Sequence, residues 1–130
     1  MYLYSFEKLE VWQNARDLVK EIYQATSKFP SEEKFGLTNQ IRRATTGIAA
    51  NIAEGTSRKT TKEQARFINI AFSTAIEVIN FLVLANDLQF LNDEEYLKLR
   101  EMTGKITNQL NSLIIQLKKT AVNSDKYLND

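Results

Sequence analysis

The sequence predicts an all-α protein, an antiparallel up-down four-helix bundle, and three observations lead there. Apolar residues recur at the three-and-four spacing of a buried helical face through four successive stretches. The 130 residues contain one proline and four glycines, too few breakers for a fold of many short strands. Capping and turn residues fall between the periodic stretches and divide the chain into four. A chain of this length forms one domain and can bury a sizeable core.

The first helix is expected at about residues 7–27, with Leu9, Trp12, Ala15, Leu18 or Val19, and Ile22 on its core face. Phe29-Pro30-Ser31 stops it, because the residue before a proline is pushed out of helical geometry. Ser31 is the expected N-cap of a second helix over about 32–54, whose core face carries Ile41, Ala44, Ile48 and Ile52. Thr45, Thr46, Gly47, Ala49, Ala50 and Ala53 make its remaining surface small. Gly47 in mid-helix costs about 1 kcal/mol relative to alanine, which points to close packing. Gly55 reads as the signal that ends this helix.

A capping box, Thr60 with Glu63 or Thr61 with Gln64, opens a third helix over about 61–88. Asn92 with Glu95, or Asp93 as cap, opens a fourth over about 93–119. Its apolar positions include Tyr96, Leu99, Met102, Ile106, Leu110, Leu113 and Leu117. Beyond Lys119 the periodicity fades, and residues 120–130 read as a frayed tail.

The third helix carries more apolar surface than a solitary bundle requires. Apolar side chains surround it from Phe67 to Ala85, while Arg66, Asn69, Ser73, Glu77 and Asn80 form one narrow polar stripe. That pattern implies burial on more than one side, and Phe72, Ile76, Ile79 and Val83 are the expected oligomer interface. A charge at Glu77, amid Ala75-Ile76 and Val78-Ile79, is costly unless paired. It is expected to pair with Arg42 or Arg43 or within a seam between subunits, with Asn51 and Glu54 as further structural polar groups.

Composition excludes several chemistries. There is no histidine and no cysteine, so neither an imidazole-activated nucleophile nor a thiolate or histidine metal site can form. The close acidic pairs fall in first turns or on polar faces, where they favour the helix dipole. We therefore expect no catalytic residues, no metal and no cofactor. Met1 to Phe6 lacks the basic and apolar regions of a signal peptide. Glu77 and Asn80 interrupt the most apolar run, so no membrane span and a cytoplasmic location are expected.

Net charge is only +1, but Lys34 to Arg66 holds seven basic residues against Glu54 and Glu63, a local +5. Arg42, Arg43, Arg58, Lys59 and Lys62 are the candidate nucleic-acid-binding residues. Repeated around a ring of subunits, the Arg58/Lys59/Lys62 loop would form a basic collar able to contact phosphates.

Gln40-Ile41-Arg42-Arg43-Ala44, then Asn51-Ile52-Ala53-Glu54-Gly55 and Arg58, resemble the central signature of the four helix bundle protein family, also called the 23S rRNA intervening-sequence or S23-type proteins. Val11-Trp12-Gln13, Phe29-Pro30 and Glu33 to Thr38 extend the resemblance. It implies a homopentameric ring or barrel. It also implies kinship with the accessory variability proteins of diversity-generating retroelements, which bind a reverse transcriptase and its nucleic acid. Ala49-Ala50 stands where many members have Pro-Ser, and Phe72 and Phe81 stand where relatives are more often polar, which is expected to add apolar surface. The combined expectation is a non-enzymatic homo-oligomer that binds RNA or a nucleic-acid-processing protein. The alternative is a protein-protein adaptor without nucleic-acid binding.

Overall fold

The computed structural model describes the backbone of residues 1–129 and the side chains of residues 1–123. Among the described residues there is no strand. Four helices follow in order: α1 (Glu10–Thr26), α2 (Leu37–Ser57), α3 (Thr61–Asp87) and α4 (Asp93–Asn129). Short 3-10 turns at Ser5–Lys8 and Ser31–Glu33 precede α1 and α2. Each helix packs on its neighbours in sequence, and α4 returns to α1, so the four close a square with antiparallel sides.

The core is built from the predicted faces. Leu18, Ile22, Ile41, Ile48, Ile52, Ile68, Leu82, Ile106 and Leu110 are fully enclosed. The few buried polar side chains are threonines, and Thr26, Thr45 and Thr103 each return a hydrogen bond to the carbonyl four residues back. No buried side-chain nitrogen or oxygen is left without a partner among the described residues.

The helix ends differ from expectation in informative ways. Ser31 begins a 3-10 turn and does not cap α2, which starts five residues later than predicted, at Leu37. Glu33 performs the capping: its Oε2 accepts the Leu37 N–H at 2.9 Å. A Cβ on Gly36 would sit 2.6 Å from that oxygen, so glycine makes the approach possible. Gly55 does not end α2, which runs on to Ser57; Gly55 is instead a contact with α3. A Cβ there would lie 3.2 Å from both Ile68 Cδ1 and Phe67 Cβ. Gly47 is looser, with Thr74 Cγ2 at 3.6 Å.

The Thr60 hydroxyl accepts the Glu63 N–H at 3.2 Å, as the capping signal predicts. Asn92 and Glu95 form the full reciprocal box, Glu95 N–H to Asn92 Oδ1 at 2.8 Å and Asn92 N–H to Glu95 Oε1 at 3.2 Å. α3 ends in a Schellman turn: Phe90 N–H donates to Ala85 O and Gln89 N–H to Asn86 O, with Gln89 left-handed at φ 64°. α4 continues as helix to Asn129, ten residues past the point where its apolar periodicity fades; Asp130 lies outside the described residues.

One expectation about α3 fails. With 27 residues and a single interior charge in its apolar stretch, it is long and apolar enough to span a bilayer. Glu77 and Asn80 do not dilute it sufficiently. In the bundle its Ile68, Ala71, Ala75, Val78 and Leu82 face is enclosed, the packing of a core helix.

Candidate functional site

Two surfaces of α3 remain after the core is closed. The first is an apolar seam. Phe72, Ile79 and Val83 are half-buried and Ile76 is 47% exposed. Their steps of four, three and four residues place them in one line. The flank of α3 facing α2 is marked by Thr74 against Gly47 and Phe67 against Gly55; the seam lies on the other flank, beside α4. The α4 face toward α1 is likewise marked by Lys98, Lys105 and Gln109, which bond to α1. Leu97 (61% exposed), Gly104 and Ile115 (47% exposed) line up on the opposite flank, beside α3. Nothing lies within 4 Å of where a Gly104 Cβ would be. The strip between α3 and α4 thus carries an apolar line from each helix, with an open notch at Gly104. Phe81 adds nothing to it, because that side chain turns into the core.

Glu77 does not sit where the sequence suggested. The polar stripe Arg66, Asn69, Ser73, Glu77 and Asn80 is exposed throughout and forms the outward crest of α3. Glu77 makes no ion pair among the described residues, so its expected pairing with Arg42 or Arg43 is absent within the chain. Asn51 donates to Gly47 O at 2.8 Å in its own helix, and Glu54 meets Arg58 at 3.7 Å. Of the apolar neighbours of Glu77 in the chain, Ala75 and Val78 are enclosed in the core while Ile76 and Ile79 lie in the seam, so neighbours in sequence do not bury it.

The basic residues divide into two groups. Arg42 is bound into the α1–α2 seam: Nε donates to Thr26 Oγ1 at 2.8 Å, Nη2 to Tyr23 O at 3.3 Å, and the guanidinium lies 4.4 Å from the Tyr23 ring centre. It holds two helices together. Arg43 is exposed, but about 1.5 Å of rise per residue puts it roughly 22 Å along α2 from Arg58. The structure therefore does not bring Arg42 and Arg43 together with Arg58, Lys59 and Lys62.

Arg58, Lys59 and Lys62 do share one end of the bundle, at the turn from α2 into α3, and all three are exposed. Arg66 joins them. Phe67 is the organising side chain: Arg58 lies 4.4 Å and Arg66 5.3 Å from its ring centre. Gln64 Nε2 donates to Arg58 O at 2.9 Å and fixes the turn. Glu54 and Glu63 pair with Arg58 and Arg66 at 3.7 and 3.5 Å, while Lys59 and Lys62 have no ion-pair partner among the described residues. Arg66 and Phe67 were missed as site residues; the arginine four residues beyond Lys62, on the same face, was the available signal.

A family model described as 23S rRNA-intervening sequence protein matches residues 7–112, from the first 3-10 turn into the middle of α4. The chain belongs to this family. Among solved structures it is similar to a protein of unknown function from the S23 ribosomal protein family of Bacteroides thetaiotaomicron. The two share 24% identity at a TM-score of 0.73, over 80% of this chain and 97% of that one. That likeness establishes the fold. No curated protein matches in sequence. The apolar seam and the basic turn both fall inside the matched range, whereas Tyr2 and Tyr4 precede it. Among the described residues no group of three or more acidic side chains is placed to hold a metal.

Proposed function

We propose that this family member is a non-enzymatic scaffold that assembles with copies of itself and binds RNA through the basic turn at Arg58, Lys59, Lys62 and Arg66. The observation that carries the reading is the line Phe72–Ile76–Ile79–Val83, apolar, incompletely covered and running beside the open notch at Gly104. Leaving a large apolar side chain in water forgoes about 1.5–3 kcal/mol of burial, and a second bundle laid on this side recovers it. A ring of such copies, pentameric by family resemblance, repeats the basic turn around one rim and multiplies its phosphate contacts.

Light scattering coupled to size-exclusion chromatography tests the assembly; an oligomer at micromolar concentration is expected. Ile76→Asp should convert it to monomer with an unchanged circular dichroism spectrum, since the side chain is already half in water. A wild-type monomer would remove the reading's main support. RNA affinity should fall steeply with salt, and charge reversal at Lys59 and Lys62 should flatten that dependence by about one counterion per lost contact. Undetectable or salt-insensitive binding would leave the adaptor alternative, in which the same apolar seam holds a different protein.

A further inference from the structure

Ahead of α1 stands a column of aromatic rings whose outer end the bundle does not use. Trp12 packs against the core, and Phe6 meets it edge-on at 5.0 Å. Tyr4 stacks on Phe6 at 6.3 Å and 15°, and Tyr2 meets Tyr4 edge-on at 5.2 Å. Burial decreases outward: Phe6 and Trp12 are half-buried, Tyr4 is 61% exposed and Tyr2 77%. The backbone beneath is tied down. Glu7 N–H donates to Tyr4 O at 3.1 Å, Tyr4 N–H to Glu7 Oε1 at 3.0 Å, and Gln13 Nε2 to Glu7 O at 2.9 Å. Tyr4 is thus carried into water on a built turn, and Tyr2 rests edge-on against it.

Their surroundings are basic. The 3-10 turn packs on α1 and α2, and the antiparallel order puts the start of α1, the end of α2 and the start of α3 at one end of the bundle. That is the end carrying Arg58, Lys59 and Lys62. Arg16 lies 4.9 Å from the Trp12 ring centre. Among the described residues, four acids at this end have partners: Glu7 accepts the Tyr4 N–H, Glu10 meets Lys105 at 3.9 Å, and Glu54 and Glu63 meet their arginines. The apolar seam lies on the α3–α4 side, away from the α1–α2 side where the column stands, so assembly through the seam leaves the rings open.

We propose that Tyr2 and Tyr4 form a base-stacking platform that selects single-stranded RNA, while the Arg58–Lys62 turn holds neighbouring phosphates. This rests on the RNA-binding reading above and adds a strand preference to it. A duplex presents phosphates but keeps its base faces stacked on one another. A single strand can lay its bases on aromatic side chains, and because every base has a π-face the platform tolerates any sequence.

Fluorescence anisotropy with a labelled oligouridine, an RNA duplex of equal length and an abasic strand of equal length tests the idea. Wild-type protein should bind oligouridine at least ~10-fold more tightly than the abasic strand, each stacked base contributing roughly 5- to 150-fold. The variant Tyr2→Ala/Tyr4→Ala should abolish that difference, leave duplex affinity and salt slope unchanged, and be rescued by Tyr2→Phe/Tyr4→Phe. Unchanged oligouridine binding by the alanine variant, or equal loss on the duplex, would overturn the platform while leaving RNA binding intact. A change in the protein's own sedimentation on alanine substitution would also overturn it, by placing the rings in a subunit contact. If wild-type protein binds none of the three probes, the RNA reading itself fails and the platform with it.

Discussion

The α2–α3 and α1–α4 pairs solve the same problem, holding two antiparallel helices side by side, with opposite means. Between α2 and α3 the backbone itself comes close. Gly47 and Gly55 open the surface of α2, and Ile48 and Ile52 fill the core beneath them. Between α1 and α4 the contact is thinner and long polar side chains bridge it. Lys28 meets Glu95 at 2.7 Å, Lys98 meets Glu21 at 3.0 Å, Lys105 meets Glu10 at 3.9 Å and Asn14 donates to Gln109 at 2.9 Å. Apolar close packing is insensitive to solvent conditions, whereas exposed ion pairs contribute at most about 1 kcal/mol each and are screened by salt. The bundle therefore has one pair of helices fixed by shape and another that responds to pH and ionic strength.

The largest effect should come from breaking the shape-fixed pair. Ile48→Ala removes an enclosed side chain and should cost about 2–5 kcal/mol in chemical denaturation. Gly55→Ala sharpens the point, since its new methyl would press on Phe67 Cβ and on Gln64 O at 3.4 Å, both fixed to backbone. A loss of about 1–3 kcal/mol is expected despite the gain in helix propensity. Gly47→Ala should do the reverse: at 3.6 Å from Thr74 the methyl fits, and about 0.5–1 kcal/mol of stability is gained. If both glycines responded alike, close approach would not be what distinguishes this pair.

Next comes the polar pair. The Glu95 carboxyl is held below its ordinary 4.5, first by the Lys28 hydrogen bond and then by the Asn92 N–H, against a small opposing effect of burial. A carboxyl depressed in the folded state contributes stability above its unfolded pKa, and that stability is lost as pH falls through the folded value. Glu95→Gln should therefore lower the unfolding free energy by about 1 kcal/mol or less at neutral pH, with the gap from wild type closing in acid. A gap that persisted unchanged below the carboxylate range would detach Glu95 from the clamp.

The same contrast explains what the sequence made legible. Core positions such as Ile41, Ile48 and Leu110 follow from periodicity because burial leaves one face per helix. The incompletely covered apolar line Phe72–Ile76–Ile79–Val83 was legible too, as excess over that face. Glu77 was misread because apolar neighbours in the chain lie to its sides on the helix, not over it. The helix-bridging contacts of Arg42 were not legible, because only the fold reveals Thr26 Oγ1 and the Tyr23 ring as its partners. Gly55 resembled a helix end since the residue serves both as a terminator and as a point of close approach, and sequence does not say which. The Tyr2–Tyr4–Phe6–Trp12 column escaped notice because its rings come together only through the turn between them.

Gln89 has a consequence for how the chain holds its shape. A left-handed backbone suits glycine, and a glutamine there is disfavoured by roughly 1 kcal/mol or more. The local hydrogen bonds of the Schellman turn offset that cost, and a distant contact adds to them: Phe90 lies 5.5 Å from Phe29 in the α1–α2 connection, and Leu91 is enclosed. The turn between α3 and α4 is thus braced from outside its own segment, and the two connections at this end of the bundle are mechanically one piece through the Phe29–Phe90 contact.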